Sequence, residues 1–63
     1  MTYQILKNDS VIKTIQAKNM DSIWTQFNGY AKKRKATPES RSGAVGVMVW
    51  ILPSEDVLSL KAV

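Results

Sequence analysis

The chain has 63 residues, 44% hydrophobic and 22% charged, with nine basic residues against five acidic ones, a net charge of +4 at neutral pH and neither cysteine nor histidine. These are the values of an ordinary globular chain, long enough for one domain, and they exclude disulfide staples and any zinc or copper site built on imidazole or thiolate. The longest apolar run, Ala44–Leu52, has nine residues, against roughly 20 for a helix that crosses a bilayer.

Tyr3–Leu6 and Val11–Ala17 are rich in Ile, Val and Tyr and are separated by Asn8-Asp9-Ser10. Two such runs around a short polar cluster predict a β-hairpin over residues 2–17. The loop length leaves two registers open. A two-residue loop pairs Leu6 with Val11 and Ile5 with Ile12; a three-residue loop pairs Tyr3 with Ile15 and Leu6 with Ile12, and the two choices turn different side chains inward.

Met20, Ile23, Trp24, Phe27, Tyr30 and Ala31 follow at offsets 0, 3, 4, 7, 10 and 11, one stripe of an α-helix over 20–35. Asn19 suits the N-cap and Asp21 the positive end of the helix dipole. Asn28-Gly29 is a turn signal inside this stretch, but Tyr30 and Ala31 stay in phase with Phe27, so the helix is read through it. Pro38 disfavours helical geometry at Thr37, and Thr37–Gly43 has the composition of a loop, so 36–43 is read as a basic loop. In Ala44–Leu52, Val45, Val47, Val49 and Ile51 alternate with Ala44, Gly46, Met48, Trp50 and Leu52. Both faces are apolar, which predicts a central strand covered on two sides. Pro53-Ser54-Glu55-Asp56 then reads as a turn, and Leu58, Leu60 and Ala62 alternate as a strand, although Ser54 followed by two acids is also a helix start. The strand is preferred, which gives a second hairpin over 44–63.

The expected architecture is a small single α+β domain, β-β-α-β-β, with a four-stranded antiparallel sheet and one helix on one face. A domain this size buries only about 60% of its unfolded surface, and with disulfides and metal closed off, oligomerisation is the remaining route to extra stability.

Catalysis finds little support. The commonest general base and the commonest activated thiol are absent. The acids Asp9, Asp21, Glu55 and Asp56 fall in predicted turns or at a helix start, and no phosphate-cradling glycine motif occurs. The chain is therefore read as a non-enzyme without cofactor, metal site or small-molecule substrate. The first residues lack the basic and apolar blocks of a signal peptide, so a cytoplasmic, non-membrane protein is expected.

The main functional candidate is the segment 32–41, where Lys32, Lys33, Arg34, Lys35 and Arg41 are opposed only by Glu39. Such a cluster can track a nucleic-acid backbone by releasing counterions; a solvated helix end that complements the dipole is the plainer account. The second candidate is the two-sided strand. Val45, Val47, Met48, Val49 and Trp50 form an apolar surface that one helix cannot cover on both sides, which points to a homodimer or another partner. Two readings result: a homodimeric nucleic-acid-binding or regulatory accessory protein, and a protein-interaction module or inhibitor of the phage or mobile-element type that docks by a sheet face or strand edge.

Overall fold

The computed structural model describes residues 1–39 and 49–63. Strand β1 (Thr2–Lys7) turns into β2 (Ser10–Gln16) through Asn8 and Asp9. Both have positive φ, 51° and 73°, the left-handed pair required by the two-residue turn that matches strand twist, and Asn and Asp tolerate it better than most side chains. One pair from each register left open by the sequence is present. Lys7 faces Ser10 and Leu6 faces Val11; past a bulge, Ile5 faces Lys13 and Tyr3 faces Ile15. Ile12 is the inserted residue. The bulge lets a tight turn coexist with a far end whose Ile15 reaches the core.

The helix α1 runs over Met20–Lys33. Asn19 caps it through its Oδ1, which accepts from the Ser22 backbone N–H at 2.9 Å. Ile23, Phe27 and Ala31 are buried, while Met20, Trp24 and Tyr30 are partly buried against them, so the predicted stripe faces the sheet. The helix passes through Gly29, and stops two residues short of the expected end because Arg34 and Lys35 leave helical geometry.

Two sheet expectations are corrected. The sheet has five strands rather than four, in the order β2-β1-β5-β4-β3, antiparallel throughout. The added strand, β3 (Thr37–Pro38), lies in the segment read as a basic loop and pairs with β4 (Val49–Ile51). Pro38 holds Thr37 extended, and proline, which has no N–H to donate, fits an edge strand. The second correction concerns the centre. The segment 44–52 was expected to be central; its described part, β4, has only the two-residue β3 on its outer side, and the central strand is β5 (Val57–Ala62), paired with both β1 and β4. Strand order is decided by this pairing of the chain's two ends, which no local pattern encodes.

The remainder of the second hairpin follows the strand reading. Glu55 N–H donates to the Leu52 carbonyl at 2.8 Å, and Leu52 N–H to the Asp56 carbonyl at 2.8 Å, with Glu55 left-handed at φ 73°. Pro53 presets the turn.

Pair registers assign the faces, since directly opposed residues share one. Ile5, Ile15, Trp50, Leu58 and Leu60 meet the helix residues Ile23, Phe27 and Ala31 in one core. Trp50 is thus on the helix side, where its Nε1 donates to Asn28 Oδ1 at 3.0 Å. Asn28 is half-buried and satisfies the indole. Trp24 Nε1 has no acceptor among the described residues, a cost of about 1–3 kcal/mol for a buried donor.

A Cβ built on the exposed Gly29 meets nothing within 4 Å. Glycine in a helix interior costs about 1 kcal/mol relative to alanine. Gly29→Ala is expected to raise stability by about that amount and Tm by several degrees, read by thermal denaturation; an unchanged or lower Tm contradicts an uninterrupted helix through residue 29.

Candidate nucleic-acid interface

The end of α1 is built by hydrogen bonds that leave a cation in an unfavourable conformation. Lys35 N–H donates to the Lys32 carbonyl at 3.0 Å and Ala36 N–H to the Ala31 carbonyl at 3.1 Å, the two bonds of a Schellman turn. The residue at its left-handed position is Lys35, φ 61°, where glycine is the common occupant and a side chain costs about 1 kcal/mol.

Lys32, Lys33, Arg34 and Lys35 are all exposed. Being consecutive, they fan around the helix axis rather than form one row. Arg34 alone aligns with Tyr30, four residues earlier. Its Cζ lies 3.6 Å from the centre of the Tyr30 ring, and its Nη1 donates to the Tyr30 carbonyl at 3.3 Å. Lys13 approaches the same ring, Nζ to centroid 6.0 Å, the outer range of a cation–π contact. Arg41 lies outside the described residues.

The fold adds cations that the local pattern did not offer. Lys7 pairs across strands with Leu58, and Lys13 with Ile5, so both stand on the helix side of the sheet, and their long stems can carry the charge to the rim. Lys7 and Arg34 border an open pocket of about 510 Å³, with Ile12, Leu52, Pro53 and Leu58 as apolar lining beside Tyr30. The signal that could have found Lys7 and Lys13 is a basic residue at an inward position of a strand.

At this end of the sheet the first turn is latched to the last strand. Asn8 exchanges backbone and side-chain bonds with Val57: Asn8 N–H to the Val57 carbonyl at 2.9 Å, and Val57 N–H to Asn8 Oδ1 at 3.0 Å. Asn8 Nδ2 donates to Asp56 Oδ1 at 2.7 Å and Ser54 Oγ to Asp56 Oδ2 at 2.8 Å, with Lys7 Nζ 3.9 Å from the same carboxylate. The Asn8 and Ser54 bonds hold the Asp56 carboxyl below the usual carboxylate range against the opposing effect of burial, with the Lys7 charge as the smallest contribution. A carboxylate whose folded pKa is depressed stabilises the fold above its unfolded pKa, and that contribution is lost as pH falls through the folded pKa. Asp56→Asn is therefore expected to be less stable than the native chain near neutrality, with the gap closing below about pH 4. Urea denaturation across pH checks this; a gap that does not narrow in acid contradicts it.

Of the candidate interface residues, Val45, Val47 and Met48 lie outside the described residues. Val49 and Trp50 point to opposite sides of β4, Trp50 into the core. On the face away from the helix, Val49 and Ile51 join Leu6 and Val57 through the β1–β5 and β4–β5 registers. Among the described residues no helix or second sheet lies on that face.

No helix among the described residues is long and apolar enough to cross a membrane, and no group of three or more His, Cys, Asp or Glu among them could hold a metal ion. No family model, curated protein or solved structure matches the chain.

Proposed function

We propose that the protein is a small non-catalytic nucleic-acid-binding or regulatory accessory protein of a reducing, cytoplasmic setting, which contacts phosphates through the end of α1. The supporting observation is the convergence of charge. Lys32, Lys33, Arg34 and Lys35 are exposed, Lys13 and Lys7 reach the same end from the first hairpin, and the one ion pair among the described residues is Lys7 with Asp56. Arg41 extends this cluster along the sequence. Cations displayed together attract a polyanion and release its counterions on contact. The acids Asp9, Glu55 and Asp56 in turns and Asp21 in the first helical turn have structural duties and are given no catalytic role.

The salt dependence of binding tests this. With Z phosphates neutralised, log affinity falls against log salt with a slope of about −0.9Z for duplex and −0.7Z for single strands. Affinity measured by anisotropy is expected to drop steeply between about 50 and 200 mM salt, and Lys32→Gln/Lys33→Gln/Lys35→Gln to flatten the slope by about two to three. A flat native response rejects the reading.

Lys35 gives a sharper check. Lys35→Gly removes left-handed strain and one charge together. It is expected to raise stability by up to about 1 kcal/mol while weakening nucleic-acid binding. A variant more stable and equally tight removes Lys35 from the interface.

The proposal includes a homodimer through the helix-free sheet face. Val49, Ile51 and Val57 supply half-buried aliphatic side chains there beside Ser59, and Val45, Val47 and Met48 belong to the same run of sequence. Light scattering is expected to give twice the chain mass, and Ile51→Lys to give the single-chain mass with native helix content. A native chain that stays monomeric at high concentration sinks the dimer. If a different protein takes this face instead, the chain is an interaction module, and a stoichiometric protein partner surviving nuclease treatment identifies that case.

A further inference from the structure

The pocket beside Tyr30 has features that phosphate contact alone does not use. It lies where the end of α1, the first hairpin and the β4–β5 turn meet. Its lining is mainly apolar, with Ser54, Lys7 and Arg34 as the polar part, and its volume, about 510 Å³, falls in the range of ligand sites. Ile12 reaches it because the β-bulge displaces that residue from the strand register; Ile12 is 41% exposed, unusual for a large aliphatic side chain beside a core. The Arg34 guanidinium lies against the Tyr30 ring at 3.6 Å. One planar face of the guanidinium is thus covered by an aromatic ring, and Arg34 remains exposed. The acids of the neighbouring turns, Asp9, Glu55 and Asp56, are not among its lining.

Resting on the reading of the basic end as a phosphate-binding surface, we infer that this pocket receives one unstacked base of a single-stranded nucleic acid. The ligand must combine a flat apolar body with flanking negative charge. A nucleotide in a single strand has both: its base stacks on an aromatic or guanidinium plane, and its two phosphates reach the surrounding cations. In a duplex the bases are paired and stacked and cannot enter a side pocket without flipping. The Tyr30–Arg34 stack is already formed, so the platform needs little ordering on binding. Lys13, at the edge of Tyr30, and Lys7, at the pocket border, are placed to flank the base while Lys32, Lys33 and Lys35 hold the strand beyond it. Preference for single strands thereby comes from the pocket, and general affinity from the fan of cations.

The experiment compares three labelled probes of equal length against the whole chain at low salt: a mixed-sequence single strand, its duplex, and a strand whose bases are replaced by abasic sites. The abasic strand keeps phosphate spacing and flexibility and removes only the stacking body. The intact single strand is expected to bind roughly five- to tenfold tighter than the abasic strand, and tighter than the duplex. Ile12→Ser, on an exposed bulge outside the core, is expected to narrow the gap between intact and abasic strands. Equal affinity for intact and abasic strands, each falling steeply with salt, overturns the base pocket and leaves the phosphate surface standing. Absence of salt-sensitive binding to any probe overturns both.

Discussion

The pairing of the chain's two ends, β5 against β1, is the constraint from which the rest of the molecule follows. Each hairpin alone is marginal in water, because two strands bury too little. Joined through β5 they make a sheet wide enough for α1 to cover, and Ile5 and Leu60, opposed across the new seam, become the middle of the core. The latch at Asn8 secures the same seam at its turn end. Its backbone N–H bond to the Val57 carbonyl continues the ladder past the last strand pair, while its side chain caps Val57 and Asp56. One polar residue therefore turns the first hairpin, fixes the start of the central strand and orders the carboxylate of the second turn.

With the seam closed, the helix is committed to one side. Fourteen residues span about 21 Å at 1.5 Å per residue, enough to run along the sheet from the end of β2 back to the turn end. That run carries Arg34 to the first hairpin, and so the closure of the sheet decides where the positive charge collects. It also decides what stays open. Alternation along β4 is apolar on both sides, and with Trp50, Leu58 and Leu60 taken by the core, Val49, Ile51 and Val57 stand on the opposite face beside Ser59 and Lys61. The edges are blunted by different means: β3 is two residues long and contains Pro38, while β2 is bulged and carries Lys13, features that discourage strand-to-strand addition. On the helix-free face the exposed Lys61 stands opposite Gln4, and the aliphatic side chains gather toward β4.

The sequence was legible wherever structure is local. The helix follows from the stripe Met20 to Ala31 and the Asn19 cap, the first turn from Asn8-Asp9, the second from Pro53, and the last strand from the alternation Leu58, Leu60, Ala62. Even the hairpin's two registers were correctly in competition; a bulge at Ile12 reconciles them, and a bulge has no composition of its own to betray it. What could not be read depends on partners distant along the chain. Thr37–Pro38 becomes a strand only because Val49–Ile51 lies beside it, and β5 is central only because β1 is free on one edge. The same limit held at the site. Lys32 to Lys35 were visible as a run, whereas Lys7 and Lys13 join them through strand registers that place each opposite a core residue, and Asn28 found its role only when Trp50 turned toward the helix.

Those long-range placements change what the basic run can do. Four consecutive cations on a helix end make a diffuse, nonselective attractor, since each projects in a different direction and a rigid duplex meets only some of them. A flexible strand can bend to meet more of them, at an ordering cost that specific contacts must offset. In the proposed reading, the stack of Arg34 on Tyr30 and the displaced Ile12 supply that contact. In the proposed reading, selectivity for a single strand is a property of the tertiary fold, generated where a bulge, a helix end and a turn come together, while the run of lysines contributes the salt-sensitive share of affinity. The strained Lys35 fits this division: it extends the charge past the last helical turn, where a glycine would close the helix more cheaply and contact nothing.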